Sequence, residues 1–332
     1  MPNTGFPTQG PTLRELGEKE VIRRITHAAP SAVNGDDAAV LYPASPNSRV
    51  VATTDMLVEG RHFRRDLTTP RLLGRRAVTQ NFADVEAMGA RPIAVLLSLS
   101  APMDLPVDVL TEFAGGIAEE IDGYAAELVG GDVTAGQNLV ISITAIGSLG
   151  GNRPPLTLDG ARAGQQVIAH GAIGYSAAGL ALLESGLELP DEFAPLIEGF
   201  QTPTIRPGSG VVARSAGASS MTDNSDGLIV DISTLAERSR VNIDLDKEAI
   251  APDELLLAAG ELVGIDPWKW VLEGGEDHTL MGTIHGEAPV GFRVIGQVAK
   301  DSKDHKSNGE RAGVVTVDGQ PPAFRQGWES FA

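Results

Sequence analysis

There is no cysteine among the 332 residues. That removes disulfides, thiolate zinc sites, iron–sulfur clusters and cysteine nucleophiles together. Lysine is absent from a long internal stretch, since after Lys19 the next is Lys247. Any phosphate held by that stretch needs arginine (Arg61, Arg75, Arg76, Arg153) or a bound cation instead. The longest apolar runs, around Ile93–Leu99 and Leu139–Leu149, fall well short of the roughly 20 residues that cross a bilayer. The opening MPNTGFPTQGPT has neither the basic start nor the apolar run of a signal peptide. No G-x-x-x-x-G-K-[ST], no protein-kinase signature set and no H-E-x-x-H occurs. The expectation is a soluble, cytoplasmic protein without a P-loop or a readable nucleophilic triad.

What is present begins with acid. Asp and Glu number 44 against 26 Lys and Arg, a net charge of −18, so neither nucleic acid nor an anionic membrane is an expected partner. Hydrophobic residues at 42% suffice for a real core, and the length suggests two domains. The Gly/Pro-rich GSLGGNRPP at 147–155 marks the boundary. The division is then a loose lead over 1–12, an N-terminal domain over 13–150 and a C-terminal domain over 151–332.

In the first domain, Leu13, Leu16, Val21 and Ile25 form a helical stripe that runs through Gly17. Strands are predicted at Ala38–Tyr42, Arg49–Thr54, Pro92–Ser100 and Leu139–Leu149. Helices are predicted from Pro70 to Gly89, and from Pro106 with Leu110, Phe113, Ile117, Ile121 and Leu128 on one face. In the second domain, strands are expected at Gln166–Ala169, Ser219–Thr222, Val241–Leu245, Thr279–Ile284, Phe292–Val298 and Val314–Val317. Helices are expected at Ser176–Glu184 and Leu228–Arg238. Single helices between short strands give an α/β (α+β layered) class.

The aspartates sit where strands end. Asp36 and Asp37 lie in NGDDAAVL, Asp55 ends VVATTD, Asp84 is in NFADVEAMGA, and Asp132 ends LVGGD. Asp223 and Asp226 occupy MTDNSDGL, and Glu276 and Asp277 follow two glycines in EGGED. One such acid is ordinarily a turn residue, and Asp226 or Asp231 can equally cap or solvate a helix start. Six Gly- or Thr-flanked acidic sites together point to a shared cluster, because converging carboxylates repel unless neutralised. Hard oxygen donors suit Mg²⁺, which takes one or two carboxylates plus phosphate oxygens. The glycines of GAIGYSAAG (171–179) either offer N–H groups to an anion or make a tight strand-to-helix turn. His62, just past Asp55, is better placed to meet a ligand than His27 or His170.

Taken in order, NGDDAAVL, VVATTDMLVEGRHF, AVTQNFADVEAMGARP, LVGGDVT, DGARAGQ, MTDNSDGL, LEGGEDHTL and the terminal GWESF resemble the thiamine-monophosphate kinase family from about Leu13 to Phe331. The resemblance implies the two-domain fold of aminoimidazole ribonucleotide synthetase, with N-terminal domains pairing through a β-barrel in a homodimer. It implies ATP-dependent phosphorylation of thiamine monophosphate to thiamine diphosphate with several Mg²⁺. In that scheme residues 13–150 bind ATP and Mg²⁺ and dimerise, and residues 151–332 complete the nucleotide and substrate site. Carried over by motif, the metal ligands are Asp37, Thr53, Thr54, Asp55, Asp84, Asp132, Asp223 and Asp226. Asp55, Asp84 and Asp226 are critical, and no residue serves as general base. The nucleotide contacts are Gly131, Asp132, Arg153 and Ser225. The substrate contacts are His62, Glu276 and Trp328. Trp328 then stacks on the cationic thiamine rings; as a bare sequence feature it is equally a C-terminal core plug. Asn224, His278 and Gln165 or Gln166 depart from the family's usual residues. The alternatives are another ATP-dependent synthetase of the superfamily and a non-catalytic acidic binder of nucleotide or metal.

Overall fold

In the computed structural model, residues 5–31, 47–299 and 313–328 are described. The strand expected at Ala38–Tyr42 and the acids Asp36 and Asp37 lie outside the described residues. The chain divides into two compact units, Met1–Val85 with Arg91–Asn152, and Glu86–Ala90 with Arg153–Ala332.

The first unit opens with α1 (Leu13–Leu16) and α2 (Glu18–Ala28). Thr12 and Glu15 close a reciprocal capping box at the start of α1. The single helix expected through Gly17 is broken there, because Gly17 turns to φ +74°. Then come β1 (Arg49–Val58), α3 (Pro70–Ala87), β2 (Arg91–Ala101), α4 (Val107–Asp122), β3 (Glu127–Ala135) and β4 (Val140–Leu149). The sheet order is β1-β4-β2-β3. β4 runs antiparallel to β1 and β2, while β3 is parallel to β2. Val78, Phe82, Leu97, Phe113, Ile117, Ile141 and Ile143 form its buried core. Leu128, expected on α4, belongs to β3 instead. The helix stops at Asp122, and Ala125 at φ +51° turns the chain into the strand. The strand expected at Leu139–Leu149 is β4, which runs to Leu149.

The second unit contains β5 (Gln166–His170), α5 (Tyr175–Glu184), α6 (Ala194–Gln201), α7 (Ser209–Ala216), β6 (Ser220–Asp223), α8 (Leu228–Ser239), β7 (Ile243–Leu245), α9 (Glu254–Val263), α10 (Pro267–Glu273), β8 (Leu280–Ile284), β9 (Arg293–Val298) and β10 (Val315–Val317). Its sheet has the order β10-β7-β9-β5-β8-β6. All neighbours are antiparallel except β10 and β7. Leu182, Leu196, Ile232, Leu235, Met281 and Ile295 belong to one buried cluster there. Both sheets are open among the described residues. No helix among them is long and apolar enough to cross a membrane.

Candidate active site

Strand alternation sorts the expected ligands of β1 onto two faces. Thr53 and Asp55 share one face. The Thr53 hydroxyl donates to Asp84 Oδ2 at 2.6 Å, so a residue of α3 meets one of β1. Asn81, one turn earlier on α3, accepts the Asp55 backbone N–H at 3.0 Å. Asn81 is itself fixed by donating to the Ala77 carbonyl at 2.9 Å. Asp55 and Asp84 are both half-buried. A helix laid against a strand thus brings the Thr53 hydroxyl to the Asp84 carboxylate, with Asp55 on the same face of the strand.

Thr54 is not brought to that group. Its hydroxyl donates to the Ile143 carbonyl at 3.1 Å and accepts from Thr144, on the other face of the sheet. Asp132 lies on that outer face too, in the row Met56–Ser142–Ser98–Asp132, exposed and on the opposite edge strand from β1. Strand parity thus sets Thr53 and Asp55 on one face of the sheet and Thr54 and Asp132 on the other. Gly131 has a packing reason to be glycine, since a Cβ there would collide with the Leu97 carbonyl on β2. Half-buried His62 stands in the turn after β1, where its Nδ1 accepts the Val58 N–H at 3.0 Å.

The second unit builds a tighter assembly. Beyond β6, the chain Asn224–Asp226 runs beside the loop 274–278 that precedes β8. Glu276 N donates to the Ser225 carbonyl, His278 N to the Asn224 carbonyl and Asn224 N to the Thr279 carbonyl, each at 2.9 Å. Gly275 permits this approach, because a Cβ there would collide with the Ser225 carbonyl. Trp328 N donates to the Asp226 carbonyl at 3.0 Å, which brings the C-terminal segment to the same place. Asp223, Ser225, Asp226, Glu276 and Trp328 are thus assembled by main-chain bonds among three segments far apart in sequence.

Two further acids shape this region. Asp231 on α8 accepts the N–H groups of Asp226 and Gly227 at 3.0 and 3.1 Å. Burial, and then the neighbouring charges of Asp223 and Asp226, push its carboxyl up to about 8. Asp277 accepts the N–H groups of Gly174 and Ser176 at 2.6 and 2.7 Å. Burial pushes it up to about 7, against those backbone bonds. Asp277 therefore occupies the N-terminus of α5, and the tight-turn reading of GAIGYSAAG holds over the anion-site reading.

Arg153 lies elsewhere in this unit. With Arg162, Gln165, Arg214 and His285 it lines a cavity of about 490 Å³. That cavity lies by Ser219 and His285, at the opposite ends of β6 and β8 from Asp223 and His278. Arg153 Nη1 donates to the Arg214 carbonyl at 3.3 Å, and Arg214 Nε to the Pro154 carbonyl at 2.9 Å. Arg153 and Ser225, both expected at the nucleotide, therefore stand toward opposite ends of β6. Asn81, Asp231 and His278 are contributors that the motifs alone do not single out. Their signal is spacing: Asn81 precedes Asp84 by three on one helix face, and Asp231 follows Asp226 by five.

Among the described residues, no three His, Asp or Glu side chains are grouped to hold a metal by themselves. Small sets of carboxylate and hydroxyl oxygens nevertheless fit Mg²⁺, which completes its shell with water and phosphate oxygens. Burial is the larger cause of the raised Asp231, and the share that Asp223 and Asp226 add is what a cation would relieve.

Residues 35–149 match the family model for AIR synthase related protein, N-terminal domain. A Corynebacterium glutamicum protein named thiamine-monophosphate kinase is 56% identical over 97% of this chain and 96% of its own length. The Mycobacterium tuberculosis (H37Rv) protein of that name is 41% identical over 98% of this chain and 94% of its own. The solved structure "AaThiL complexed with AMPPCP and TMP" superposes with a TM-score of 0.76 at 33% identity, covering 96% of this chain and 98% of that one. The chain belongs to the thiamine-monophosphate kinase family.

Proposed function

We propose that this protein transfers the terminal phosphoryl group of ATP to thiamine monophosphate, giving ADP and thiamine diphosphate. The observation that carries the reading is the joining of Ser225, Asp226, Glu276 and Trp328 by main-chain hydrogen bonds. Residues expected to serve nucleotide, cation and substrate are built as one assembly. The likeness to a ThiL structure complexed with AMPPCP and TMP supports ATP and thiamine monophosphate as the pair of substrates.

The accepting phosphate is already ionised near neutrality, so no strong base is required of the chain. What remains is positioning and charge compensation. Thr53, Asp55 and Asp84 in the first unit, and Asp223 and Asp226 in the second, would hold Mg²⁺. When bound, Mg²⁺ supplies the positive charge that lets two anionic reactants approach in a chain whose acidic motifs lie almost wholly in a lysine-free span. Ser225 serves the nucleotide. Glu276 accepts from the aminopyrimidine of thiamine, and His62 contacts the substrate from the turn after β1. Trp328 is 43% exposed, which suits a stacking surface better than a core plug. A cationic thiazolium over indole is worth roughly 0.5–2 kcal/mol.

Residues 13–150 form the ATP- and Mg²⁺-binding and dimerisation domain, and residues 151–332 carry nucleotide and substrate contacts. The active species is a homodimer paired through the outer face of the first sheet into a β-barrel, and the protein works in the cytoplasm. Thr54 and Asp132 act from that outer face.

The test is mass detection of thiamine diphosphate after mixing protein, ATP, Mg²⁺ and thiamine monophosphate. Product is expected only with all four present. Asp55→Asn is expected to lower turnover by more than about a hundredfold with little change in melting temperature. ATP binding without product in the unsubstituted protein would instead establish a non-catalytic binder.

A further inference from the structure

The loop carrying Glu276 is tied to the strand end carrying Asp223 by a crossed pair of side-chain bonds. His278 Nδ1 lies 2.9 Å from Asp223 Oδ2. One position along each segment, Asn224 Nδ2 donates to Asp277 Oδ2 at 3.3 Å. All four residues are buried. A carboxylate is only an acceptor, so the proton of the first bond sits on the imidazole Nδ1. A carboxylate this deep needs such a donor, or its orientation is left to packing alone. His278 adopts φ +52°, which a non-glycine residue accepts at a cost, and Glu276 two residues before it adopts φ +66°. The loop is therefore held in an unfavourable backbone form while its side chains reach back across the strand.

We infer that His278 is a positioning residue: its Nδ1–H sets the orientation of the Asp223 carboxylate toward a divalent cation and couples it to the loop presenting Glu276. This rests on the reading of Asp223 as a cation ligand given above. Through this bond, cation binding at Asp223 and substrate binding at Glu276 reinforce one another. The Asn224–Asp277 pair extends the link to the N-terminus of α5, where Asp277 is anchored.

Two variants separate the donor from the ring. His278→Phe keeps a ring of similar size and removes the donor. His278→Asn keeps an N–H donor close to the Nδ1 position, loses the ring and tolerates the left-handed backbone. Mn²⁺ binding is read by electron paramagnetic resonance, and Asp223→Asn defines the sites that matter by which of them it removes. At those sites His278→Phe is expected to weaken Mn²⁺ by about 10–100-fold. The Mg²⁺ concentration for half-maximal turnover should rise in parallel, while kcat at saturating Mg²⁺ changes less. His278→Asn should stay close to the unsubstituted protein in both readouts. Wild-type Mn²⁺ affinity in His278→Phe overturns the inference, as does a loss confined to His278→Asn, which would mark a packing role. Should His278→Phe not fold, His278→Ala takes its place: Mn²⁺ weakened there but retained in His278→Asn upholds the donor role, and unchanged affinity in His278→Ala, or equal loss in both, overturns it. Unchanged Mn²⁺ binding in Asp223→Asn sinks the cation assignment itself, and the positioning role with it.

Discussion

Asp277 shows how one buried acid can be structural in a region read as catalytic. It caps α5, and burial raises its carboxyl to about 7 from a usual value near 4. An acid whose pKa is raised on folding holds its proton longer in the folded state. Its contribution to stability is therefore greatest at low pH and declines as pH rises from about 4 to about 7. Asp277→Asn keeps one acceptor oxygen for the helix N–H groups and cannot ionise. The variant should be less stable than the parent near pH 5, and the gap should narrow or reverse by pH 8. Urea unfolding of both proteins across that range checks it. A gap that widens with pH would mean that the backbone bonds outweigh burial at this residue.

At the scale of elements, legibility followed the strength of the local period. β1, β2, β4, β8 and β9 carry apolar runs or alternation that mark them directly, and Pro70 marks α3. The short helices α6, α7 and α10 have seven or eight residues and turn weak stripes inward, so tertiary burial rather than pattern defines them. α9 carries its own signals, an Asp253 N-cap bonded to Leu256 N at 2.9 Å and Gly264 at φ +72° past its end. For the site, motif order named the segments, but strand parity decided which side chains meet. That is why Thr53 reaches Asp84 and Thr54 does not. Likewise no local pattern announces that Arg153 sits at the far ends of β6 and β8. The glycines of LVGGD show the same split between motif and geometry. An added Cβ at Gly131 meets the Leu97 backbone, whereas at Gly130 it meets only the Leu96 side chain. Gly131→Ala should therefore destabilise by about 1–3 kcal/mol and Gly130→Ala by clearly less. Equal losses in chemical denaturation would show that β2 and β3 can part freely.

At the scale of the whole molecule, the outer face of the first sheet is the feature left open among the described residues. Among the described residues β1 is an edge strand, and on its outer face Val50 is 78% exposed and Met56 54% exposed. An exposed apolar edge invites pairing, and natural sheets ordinarily blunt or cover it. Thr54 and Asp132 share the same face, so the homodimer proposed above would cover the apolar residues and enclose two of the expected ligands together. Val50→Asp combined with Met56→Lys places charge on that face and touches nothing in the Thr53–Asp84 group. Light scattering after gel filtration should then give twice the chain mass for the parent and the chain mass for the variant, with unchanged circular dichroism. Turnover should fall with the mass, because Thr54 and Asp132 lose the surroundings that the second copy supplies. A variant that stays dimeric places the contact on another surface. A monomeric variant with full turnover would leave Thr54 and Asp132 without a part in the reaction.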